Sequence, residues 1–161
     1  KIAYLKRRTT MSKVPVISTQ CVGVLLNILH FACNEIQKQQ KLFNYVEIIA
    51  QHDDGVITAQ HILDRGPLFQ KEFDTLSELQ KRLSTETVDR EFIKSIDDDT
   101  FGLLKSFSER QIEELKFAIV SLDNNPTTKG VMSAAALSFK VASRIDEVRR
   151  MFSEFTAAFR A

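Results

Sequence analysis

Three histidines, two cysteines and 21 carboxylates are the side chains of this sequence that could bind a metal or carry acid–base or nucleophilic chemistry. His30, His52 and His61 form no His-x-x-x-His or Glu-x-x-His pair, the spacings that put two ligands on one helix face. His30 lies in an apolar run and reads as a hydrogen-bonded core residue, while His52 and His61 flank a turn and supply only two nitrogens. A haem reading of the His30 and His61 pair fails, because 29 residues ahead of His30 are too few for the helices a distal histidine needs before it. Cys21 and Cys33 stand twelve residues apart. On one helix that spacing separates them by about 18 Å along the axis, well beyond disulfide reach. With no neighbouring base to lower their pKa, they read as buried small hydrophobes in a reducing, intracellular compartment.

Residues 50–61 resemble an EF-hand loop in their turn chemistry, with Asp54, Gly55, Ile57 and Thr58 at matching positions. Ala50, His52 and His61 stand where the loop needs its carboxylates, so the segment implies a turn between helices and no calcium site. Asn125-Pro-Thr-Thr-Lys-Gly130 has a lysine but lacks the glycine pattern of a phosphate loop. No catalytic residues, no metal ligands and no cofactor are therefore expected, and an enzyme is the class this sequence supports least.

Composition is that of a folded domain: 43% of the 161 residues are hydrophobic and 27% charged, outside the disordered and fibrous ranges. The net charge of +1 conceals an asymmetry. Residues 1–34 carry five basic groups and no acid, which leaves −4 for the remainder. Residues 1–13 accordingly read as a basic N-terminal arm and 14–161 as one helical bundle domain. Lys6, Arg7, Arg8 and Lys13 are the candidate contacts to phosphate or another anion. The uncharged stretch 14–34 behind the arm imitates a signal anchor. Its Pro15, Gln20, Asn27, His30 and Asn34 are costly in a bilayer centre, which disfavours a membrane role.

The elements that must carry these groups are helices, since no run alternates apolar and polar residues between turn signals. The spacing predicts a helix over 19–39 with a wide apolar face (Cys21, Val24, Leu25, Ile28, Leu29, Ala32 and Ile36), and a segment over 42–51 that can extend it. A short helix should stop at Gly66-Pro67 and restart to run to residue 83. Capping oxygens at 85–89 precede a helix with Val88, Phe92, Ile93 and Ile96 inside. Ser108 and Gln111 have capping-box spacing, which predicts a new helix over 109–122 after a turn over 101–107. A loop over 123–130 leads to a long helix over 131–159. The fold class expected is all-α, a single-domain bundle of five to seven helices.

The sharpest pattern is in that last helix. Val141, Ile145, Val148, Phe152, Phe155 and Phe159 follow alternating spacings of four and three, a heptad repeat. Three phenylalanines give the ridge the large apolar area that dominates helix-mediated interfaces. These six residues are the candidate protein interface, through self-association or a partner helix. The function expected is thus a non-enzymatic helical interaction or assembly protein. The alternative is a nucleic-acid-packaging, nucleocapsid-like helical protein that holds phosphate with its basic arm.

Overall fold

The structure, a computed structural model, describes residues 14–52, 56–124 and 133–161. These residues form five helices, with no strand among them: α1 (Thr19–His52), α2 (Val56–Thr85), α3 (Arg90–Lys94), α4 (Asp98–Asn124) and α5 (Ala134–Arg160). The all-α bundle read from the sequence, with its long C-terminal helix, is what the chain adopts.

Several expected interruptions are absent. The Gln/Lys run at 37–41 continues α1, as residues with good helix propensity allow. Gly66-Pro67 lies inside α2 without ending it. Ser108 does not open a helix; its hydroxyl donates to the Lys105 carbonyl at 2.8 Å within α4, and the residue is buried. The real breaks are capped ones. Asp89 accepts from the Phe92 N–H at 2.8 Å, Asp97 from the Thr100 N–H at 2.7 Å and Ser133 from the Ala136 N–H at 3.2 Å. Each satisfies an orphan donor of a helix start. Val88, Phe92, Ile93 and Ile96 are all buried around α3, as their spacing predicted.

Helix α1 is the hub, packing against α2, α4 and α5. Its predicted apolar face, Cys21 through Ile36, is buried at every position. The pairings fix the directions. The Cys33 Sγ lies 3.8 Å from the Ser77 hydroxyl, and Ser18 ahead of α1 meets Glu154 near the end of α5. Farther along, Glu35 lies 3.8 Å from Arg110 of α4. Helices α1 and α4 therefore run one way and α2 and α5 the other, an up-down-up-down bundle with α3 closing one end.

The core occupies only part of this length. Beyond Ile36 in α1, beyond Ser108 in α4 and before Ile145 in α5, no described side chain is fully buried. The end of the bundle beyond these positions is its distal half.

Candidate interaction surfaces

The heptad ridge of α5 divides in two. Ile145, Val148 and Phe155 are buried in the bundle of their own chain, and Phe155 keeps 1% of its surface exposed. Val141, Phe152 and Phe159 are half-buried. The aromatic residues close on Phe101 of α4: its ring stacks on Phe159 with centroids 4.3 Å apart and lies 5.7 Å from Phe155 and 5.8 Å from Phe152. The center of the expected interface is therefore occupied by the chain's own helices. The periodicity was sound, but a heptad seam says only that a helix buries one stripe, and here α1 and α4 provide the cover.

A polar clamp holds that face of α5 against the start of α1. Ser18, immediately before α1, accepts from the Cys21 N–H at 3.1 Å. Its own N–H and hydroxyl donate to Glu154 Oε2 at 3.2 and 2.9 Å. The Cys21 thiol donates to the Met151 carbonyl at 3.2 Å. Burial, then the hydrogen bond and charge of Glu154, push the Cys21 thiol up to about 12. For Glu154, burial works to raise the pKa, but donation from Cys21 and Ser18 outweighs it and the carboxyl lies below its ordinary range. Cys21 and Cys33 are both free and buried, as their spacing implied. Burial likewise raises the Cys33 thiol, against a lowering hydrogen bond with Ser77.

His30 departs from expectation. It is exposed on α1, 3.3 Å from the Asn34 amide, because it falls opposite the Leu25–Leu29 face. The apolar neighbours in sequence belong to that other face. The side chains of His52 and His61, and the arm residues Lys6, Arg7, Arg8 and Lys13, lie outside the described residues. Among the described residues no cluster of three His, Cys, Asp or Glu side chains can hold a metal ion. None of the described helices is long and apolar enough to cross a membrane.

The surface that sequence reasoning missed is in the distal half. Phe117 and Val120 of α4 are 71% and 52% exposed, Phe139 of α5 is 75% exposed, and Leu42 of α1 is 65% exposed. Under them, Ile112, Leu115, Ile119 and Leu122 of α4 are half-covered, as are Leu137 and Val141 of α5. The signal was present: Phe117 and Val120 stand off the Ile112-Leu115-Ile119-Leu122 stripe, and Phe139 stands off the α5 heptad. An apolar residue outside the stripe that a helix buries is the mark of a second apolar face.

Compared with protein-family models, with curated proteins and with solved structures, the chain shows no significant match. Its functional reading therefore rests on the residues alone.

Proposed function

We propose that this chain is a non-enzymatic helical interaction and assembly protein, and that it assembles with further copies of itself through the distal half of the bundle. One observation carries this reading: large apolar side chains on three helices (Leu42, Phe117, Val120 and Phe139) are exposed beyond the last fully buried described residues of those helices. Large apolar side chains left exposed on several helices at one end of a bundle suit a contact surface. Two phenylalanines supply the rigid, low-entropy area that anchors helical interfaces. The α5 heptad contributes its half-buried upper end, Val141, while Ile145, Val148 and Phe155 hold the monomer together.

The test is molecular mass. Light scattering of the full chain should show mass rising with concentration, and the double variant Phe117→Ser and Phe139→Ser should return it to about 18 kDa. Both positions are exposed, so the variant should keep its fold. A wild-type chain that stays monomeric at every concentration would remove the proposal.

A further inference from the structure

A groove runs between α4 and α5 on the base half of the bundle, with a volume of about 500 Å³ and Phe101, Ile112 and Phe152 as its apolar lining. Lys105, Arg149 and Arg160 border it, and Glu109 is its one carboxylate. Arg149 and Arg160 are eleven residues apart, about three turns, so they stand on one side of α5 roughly 16 Å apart. Where α5 ends, a second recess of about 370 Å³ is bordered by Arg90 and Lys94, with Val16 and Phe159 beside them and no Asp or Glu in its lining. Among the described residues none of these five cations has a carboxylate within ion-pair distance. Lys38, Arg82, Arg110 and Lys116 by contrast are paired.

The carboxylates collect elsewhere. Glu86, Asp89 and Glu91 line one recess, and Glu72 with Asp97, Asp98 and Asp99 line another. Arg82 lines the first of these and Lys71 the second, whereas the groove holds three cations against one carboxylate, an excess that raises the local potential over it. Val16, whose N–H donates to the Val88 carbonyl at 2.9 Å, fixes the start of the described chain at the basic recess. Lys13, Arg8, Arg7 and Lys6 precede it in sequence.

We propose that the groove between α4 and α5 is a binding site for single-stranded nucleic acid. Unpaired arginines and a lysine along an elongated groove suit a chain of phosphates. The half-buried ring of Phe152 lines the groove beside these cations and gives a base an aromatic surface to stack on. Ser153 is exposed and adds a hydroxyl to the lining, which suits a sugar or phosphate contact. A recess between two helices admits one strand, whereas duplex reading requires a convex basic element entering a groove. The groove's cations lie outside the distal apolar surface, and the variants that test one leave the other untouched, so the two proposals stand or fall separately.

The test is fluorescence anisotropy of the full chain with a labelled oligothymidylate of about twenty nucleotides, titrated between about 50 and 200 mM salt. Three phosphate contacts predict a log–log salt slope of about −2 or steeper. The double variant Arg149→Gln and Arg160→Gln should make that slope shallower by about 1.4 and weaken low-salt binding roughly tenfold or more. Glu109→Gln, at an exposed rim position, should tighten binding several-fold, and Lys81→Gln, exposed on α2 away from the groove, should change nothing. Circular dichroism melts confirm that each variant is folded. Absent binding overturns the proposal, as does binding that the groove variants leave unmoved. Equal competition by polyglutamate, or capture by phosphatidylglycerol vesicles in place of the oligonucleotide, overturns it too.

Discussion

Replacing Phe155 with alanine distinguishes a ridge that holds the monomer together from a ridge that meets a partner. Phe155 has 1% of its surface exposed and packs against the rings of Phe101, Phe152 and Phe159 at centroid distances of 5.7, 5.8 and 6.4 Å. Truncating a phenylalanine in such a site removes its transfer free energy and leaves a cavity, at a cost of about 3–5 kcal/mol. That is a large share of the roughly 5–15 kcal/mol that holds a domain of this kind folded. For a chain of this length each kcal/mol moves the melting midpoint by about 2–4 °C, so Phe155→Ala should melt roughly 6–20 °C lower. Phe152→Ala, half-exposed one turn away, should cost about 1–2 kcal/mol. The assay is urea unfolding of wild type and both variants at one fixed protein concentration, with mass measured in parallel. A Phe155→Ala loss below about 1 kcal/mol, or a variant that changes mass while keeping its stability, would refute the packing argument.

The clamp at the start of α1 makes stability depend on pH. Glu154 has its pKa lowered in the folded chain, so its contribution is full above the ordinary glutamate value of 4.5 and is lost as pH falls through the lowered one. Glu154→Gln should therefore cost about 1 kcal/mol near neutral pH, and the difference from wild type should shrink in acid; urea midpoints across pH check it. With its thiol pushed up to about 12 by burial and by Glu154, Cys21 should resist alkylation at mildly alkaline pH until the chain unfolds, and mass spectrometry of peptides after iodoacetamide reads this directly. Gly23 and Gly102 lie inside α1 and α4 with no atom within 4 Å of where a Cβ would stand. Each glycine-to-alanine change should raise stability by about 0.5–1 kcal/mol in thermal melts.

Fold class was legible because helical periodicity is a local property. The Cys21–Ile36 face and the four buried positions around α3 follow from spacing alone, and both are realised. Helix ends were less legible, since a sequence signal names a possible stop and packing decides whether it is used. Gly66-Pro67 and Ser108 carry such signals inside continuous helices, while Asp89 and Asp97, with the same chemistry, cap real ones. The role of the α5 ridge could not be read, because periodicity shows that a stripe is covered without showing by what. His30 illustrates the same limit: an apolar neighbourhood in sequence occupies the other side of the helix. The basic groove was invisible for a different reason. Lys105, Arg149 and Arg160 come from two helices among balancing acids and become a cluster only once α4 and α5 are packed.

Hydrogen–deuterium exchange of the full chain at two protein concentrations tests the assembly reading most directly, because it locates the contact as well as detecting it. Protection should rise with concentration in residues 113–124 and 135–144, which carry Phe117, Val120 and Phe139, and stay constant over 145–159. Concentration-dependent protection confined to 145–159, or none in any segment, would contradict it.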